Sequence, residues 1–166
     1  MKRKTAIRFI TALCASVIAL TALAGCTAQD TSASQQSENR QYMTQVNQVM
    51  EDLQSKLDNF TDAVSRGDVV SMRTQADNAF KAIDGLNSLS VPDDLKDIQQ
   101  EYVDGTSDLK TALNNYIDLY TEIDSATEAE PFDWSTYDQR ISDIKALYDE
   151  GIGKLQSGDN KATEKN

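Results

Sequence analysis

Val46, Met50, Leu53, Leu57, Phe60 and Val64 follow one another at steps of four, three, four, three and four residues. A helix returns such positions to one face, because 3.6 residues make a turn, whereas a strand would scatter them over both sides. The rhythm recurs in three further segments: Val69, Met72, Ala76, Phe80, Ile83 and Leu86; then Leu95, Ile98, Tyr102, Leu109, Leu113, Tyr116, Tyr120 and Ile123; then Tyr137, Ile141, Ile144, Tyr148, Ile152 and Leu155. No stretch sustains a period of two, so no sheet is expected. Four amphipathic helices with short links predict an all-α fold, an antiparallel four-helix bundle around one core, over residues 39–157.

The links carry their own chemistry. Gly67 suits the left-handed turn that ends a helix, and Asp68 suits the cap of the next, so the first two helices should be close neighbours. Pro92 fits the first position of helix three, where Asp93, Asp94 and Asp97 complement the positive helix end. That helix should run to about Asp124, roughly 50 Å. Gly105 falls within it and costs up to about 1 kcal/mol relative to Ala, which suggests a kink or a close helix crossing. Residues 125–132, with Pro131, read as a loop; Asp133 or Ser135 can cap helix four, which Trp134 would start, and Ser135 with Asp138 resembles a capping box. Residues 52–62 and 108–118 echo one another at an offset of 56 residues, which two amphipathic helices drawn from one pattern explain without a duplication.

The bundle is flanked by segments of another kind. Lys2, Arg3, Lys4 and Arg8 precede an uncharged apolar run from Phe9 to Ala24, 16 residues long, short for a spanning helix of roughly 20. The run ends in Leu23-Ala24-Gly25-Cys26, which resembles the lipobox of bacterial lipoprotein precursors. That resemblance implies a signal peptide over residues 1–25 and a diacylglyceryl group on the Cys26 thiol. Cys26 would then be the first mature residue, its N-terminus acylated with a chain such as palmitate. Two or more chains hold a protein stably at a membrane, at about 0.8 kcal/mol per buried CH₂. The implied location is the extracytoplasmic side of the cell membrane. Residues 26–38 contain no large apolar side chain and read as a flexible tether behind the lipidated Cys26, and residues 158–166 as a disordered tail. The Gly67-Asp68 hinge, the Val91-Pro92 helix start and the long third helix from Tyr102 to Tyr120 resemble small helical lipoproteins of Gram-positive bacteria that have no assigned role.

Removal of residues 1–25 takes four of 16 basic residues and none of 27 acidic ones, leaving 12 against 27, a net charge of −15. Such a surface excludes nucleic acid, whose phosphates need a basic face. With Cys14 in the signal and Cys26 lipidated, the mature chain keeps no thiol for a disulfide. The sequence has no His, which removes most general-base and transition-metal chemistry and the Glu-x-x-His pairs of bundle di-iron sites. No enzyme activity, metal or cofactor is expected.

Three features invite a functional reading. Arg66-Gly67-Asp68 matches a tripeptide that integrins bind, but its Gly and Asp already have turn and cap roles. Asp94, Asp97, Glu101, Asp104 and Asp108, spaced three, four, three and four apart, share one face of helix three. This ridge is either a solvated face or a surface for a basic partner or a cation, although Ca²⁺ prefers six to eight converging oxygens. Trp134, beside a loop at a helix end, is the candidate pocket residue, with Tyr102, Tyr116, Tyr120, Tyr137 and Tyr148 expected to fill the core. The resulting expectation is a lipid-anchored interaction or accessory module with an envelope protein partner. The alternative is a small-ligand or cation-binding lipoprotein, which Ca²⁺ should stabilise against melting.

Overall fold

The computed structural model describes residues 30–165. The signal segment 1–25, Cys26, residues 27–29 and Asn166 lie outside the described residues. Four helices follow in order: α1, Asp30–Arg66; α2, Val69–Asn87; α3, Lys96–Ser125; and α4, Tyr137–Glu164, with a 3-10 turn at Asp93–Leu95 ahead of α3. Among the described residues there is no strand, and no helix is long and apolar enough to cross a membrane.

The hinge between α1 and α2 forms as its residues dictate. Gly67 takes φ 66°, a region that costs an L side chain strain but not glycine. Its N–H donates to the Val64 carbonyl at 3.0 Å, and the Asp68 N–H reaches back to Ala63 at 3.1 Å, closing the helix end. The Asp68 carboxylate then accepts from the Ser71 N–H at 3.0 Å and hydroxyl at 2.5 Å. These bonds hold its pKa below the ordinary carboxylate value. Gly67 and Asp68 of the Arg66-Gly67-Asp68 triplet thus do structural work.

All six residues of the α1 seam are buried, as are Met72, Ala76, Ile83 and Leu86 of α2, Leu109, Leu113 and Tyr116 of α3, and Tyr148, Ile152 and Leu155 of α4, in one hydrophobic cluster. The two echoing segments meet inside it: Phe60 lies edge-on to Tyr116, ring centroids 5.9 Å apart. Between α2 and α3, Arg73 spans to Asn114 and Asp118 at 3.2 and 3.0 Å, and Lys110 sits 5.1 Å over the Phe80 ring.

The most extensive helix contact joins α3 to α4, and glycine makes it. A Cβ at Gly105 would stand 2.7 Å from the Gly151 carbonyl oxygen, and one at Gly151 equally close to that of Gly105. The two backbones therefore touch where neither residue has a side chain. Gly105 marks a close crossing, within an uninterrupted helix.

Four expected boundaries move. Residues 30–38, expected as tether, belong to α1. Once a helix is nucleated by its packed portion, each added residue gains a hydrogen bond at little cost, so Ala, Gln and Glu extend it without large apolar side chains. Residues 158–164, expected as disordered tail, belong to α4. Gly158 abuts the Tyr102 ring and Ala162 is buried, so the seam continues in small residues. At the other junctions, Pro92 stands just before the 3-10 turn, its carbonyl accepting from Leu95 N–H at 2.9 Å. α4 begins at Tyr137, after Trp134, with Thr136 rather than Asp133 or Ser135 at its cap.

Candidate functional site

The acidic ridge on α3 is partnered from α4. Lys165 pairs with Asp97 at 2.6 Å, Lys161 with Glu101 at 2.5 Å and Lys154 with Asp108 at 2.6 Å. Four residues toward the C-terminus of α3 match four toward the N-terminus of α4, and the next seven match seven. Arg140 continues the series by gripping Glu122 through both guanidinium nitrogens, at 2.5 and 2.8 Å. Lys165 also donates to the Asp94 backbone carbonyl. The Asp94 side chain accepts from Gln35 at 2.5 Å, and Asp104 accepts from Gln100 one turn away at 2.8 Å. Of the five ridge residues only Asp104 keeps its partners within its own helix. The charges respond accordingly: the ammonium of Lys165 holds Asp97 below the ordinary carboxylate value, and Arg140 does the same for Glu122. Lys154 and Lys161 are pushed up by the carboxylates they bind. Three of the five ridge carboxylates are thus tied into the α3–α4 seam, while Asp94 and Asp104 accept from neutral glutamines.

Beneath the ladder lies a polar pair that sequence reasoning missed. The Tyr102 hydroxyl donates to Asp159 at 2.6 Å. Burial raises both pKa values: it favours the neutral phenol of Tyr102 and the protonated carboxyl of Asp159. Tyr102 is completely buried, so its hydroxyl needs an acceptor, and a polar residue one position beyond Gly158 supplies it.

At the opposite end of α3 the acid–base balance reverses. From Asp124 to Asp138 the chain carries Asp124, Glu128, Glu130, Asp133 and Asp138 and no basic residue. Its loop is closed by short-range hydrogen bonds. Thr127 N–H donates to the Glu130 carbonyl at 3.1 Å, Glu130 N–H to the Thr127 hydroxyl at 3.1 Å, and Ser135 N–H and hydroxyl to the Asp133 carboxylate at 2.9 and 2.7 Å. The Ser135 bonds hold Asp133 below the ordinary carboxylate value. Trp134 sits on this loop, 43% exposed, its ring fixed by Phe132 edge-on at 5.0 Å and by Tyr137 at 5.7 Å. Tyr120 and Tyr137 hydroxyls approach to 3.4 Å, and Tyr116 stacks on Tyr120 at 4.6 Å. An aromatic column thus runs from the core to an exposed tryptophan.

An open cleft of about 560 Å³ lies at the far end, lined by Asn39, Asp93, Asp94, Lys96, Asp97 and Lys165. Its walls are polar, with Asp93 paired to Lys96 and Asp97 to Lys165, unlike the apolar, enclosing sites that hold small molecules; Trp134 is not part of it. Among the described residues no group of acidic or sulfur side chains converges as a metal site would require. No family model, no curated protein and no solved structure matches the chain.

Proposed function

We propose that the chain is a lipid-anchored, extracytoplasmic lipoprotein whose four helices form an antiparallel bundle, acting as a protein-interaction or accessory module at the cell envelope. The address rests on the basic-then-apolar N-terminus ending in Leu23-Ala24-Gly25-Cys26. The bundle arrangement is supported by the opposed register of the α3–α4 ion pairs and by the tight Gly67 hinge. The observation that carries the interaction role is the exposed Trp134, fixed in a loop whose carboxylates form no ion pair among the described residues. Tryptophan and tyrosine are the side chains most often found at the energetic centres of protein interfaces.

Crosslinking of the tagged protein in intact cells, followed by mass spectrometry, tests the role. A dominant envelope protein is the expected capture; recovery of self-adducts alone would remove it. The address has its own test. Cys26→Ser should release or misprocess the protein, and unchanged size and membrane attachment would mean that residues 9–24 remain as an anchor.

A further inference from the structure

We infer that the α3–α4 cap, residues 124–138, is a docking site for a basic segment of another protein, which sets an arginine or lysine against the Trp134 ring. The inference rests on the interaction role proposed above and names the surface and the chemistry of its partner.

Charge complementarity chooses the occupant. Five carboxylates and no cation lie between Asp124 and Asp138. Among the described residues, none of Asp124, Glu128, Glu130, Asp133 or Asp138 forms an ion pair. The nearby basic side chains do not supply one: Arg140 is committed to Glu122 and Arg73 to Asp118. Arg66 is exposed at the end of α1, beside Asp68, whose carboxylate it helps keep ionised. The acids elsewhere on α3 obtain lysines from α4, so the fold balances charge where it uses it, and at the cap it does not.

The aromatic side points the same way. The face of an indole is the strongest side-chain acceptor for a cation, and arginine is its commonest partner. Trp134 is 43% exposed and held in a fixed orientation by Phe132 and Tyr137. The loop is already closed by the Thr127–Glu130 and Asp133–Ser135 bonds. A partner therefore does not have to supply the ordering of the loop, a cost that otherwise erodes affinity.

Trp134 is the chain's only tryptophan, so its emission reports the cap directly. The full chain in detergent is titrated with an acetylated octapeptide of alternating Arg and Ala, with alternating Glu and Ala as control. A saturable change of Trp134 emission with the Arg peptide alone is expected, weakening as salt rises. In the Glu128→Gln/Glu130→Gln variant binding should fall about three- to tenfold. An unchanged affinity in that variant, no response, or a larger response to phosphatidylcholine vesicles than to the peptide would each overturn the inference. A photo-crosslinking residue placed in cells at exposed Ala129 on the cap, which leaves Trp134 intact, and separately at exposed Ser55, divides the two proposals. Capture of a partner from 55 but not 129 refutes the cap and keeps the interaction role; capture from neither refutes both.

Discussion

Between Asp97 and Asp108 three carboxylates of α3 each meet a lysine of α4 or of its C-cap, while among the described residues the five carboxylates between Asp124 and Asp138 meet none. The first region spends its charge on register: a one-residue slip of α4 would break every rung at once, and the backbones at Gly105 and Gly151 leave no room for it. The second leaves its charge facing water around an exposed ring. Equal acidity in a sequence therefore says little about use; what distinguishes structure from recognition is whether the opposite charge is present on the facing element.

The comparison is most strongly tested where the α3–α4 seam is tightest. Gly151→Ala should destabilise the fold by about 1–3 kcal/mol, because its Cβ meets backbone that cannot yield. Gly153→Ala, two residues on with open space around it, should instead stabilise by about 0.5–1 kcal/mol through helix propensity alone. Denaturant midpoints give both signs, and a shared sign would deny the close crossing. Next in size is Glu101→Lys, which should lower the melting temperature, with Lys161→Glu restoring much of it in the double variant. Failure of the swap to rescue would reduce the ladder to coincidence.

Acid titration sharpens the same contrast. Asp97 and Glu122 have folded pKa values below their unfolded ones, so the stability they contribute is present above about pH 4 and is lost as pH falls through the folded values. Asp97→Asn should flatten that loss in melting curves recorded between pH 5 and pH 2. Asp159 has the opposite sign. Its raised folded pKa favours folding below the unfolded value and opposes it as pH rises through the folded one. Asp159→Asn, which can still accept from Tyr102, should gain stability at pH 7 relative to wild type and lose that advantage near pH 3. The smallest effect belongs to the cap: Glu128→Gln with Glu130→Gln should shift stability by no more than about 0.5 kcal/mol, as expected of side chains that the fold does not use.

Much of this was legible in the sequence. The alternation of four and three located all four helices, and Gly67-Asp68 located the first hinge, because periodicity and turn chemistry are local. The helix ends were not, since the search for large apolar residues passed over Gly158 and Ala162, whose value in the seam lies in their small size. The pairing of Lys154, Lys161 and Lys165 with Asp108, Glu101 and Asp97 was also missed. Their spacings match only when one helix is read backwards against the other, and nothing within either helix signals that. Trp134 was singled out for its place beside a loop, but as a pocket residue; its exposure depends on how Phe132 and Tyr137 prop it, which is a tertiary property.

The length of α1 has a mechanical consequence. Its 37 residues make a rod of roughly 55 Å, with the α1–α2 hinge at its far end and the loop between α3 and α4 at that same end. Only residues 27–29 separate Asp30 from Cys26, at most about 10 Å of chain. Under the proposed lipid attachment, a stiff helix carries the tryptophan, and the length of that rod caps how far from the bilayer it can stand. Reach, in such an arrangement, has a ceiling built into the molecule, and a binding surface held well beyond that rod's length from the lipid would be out of range.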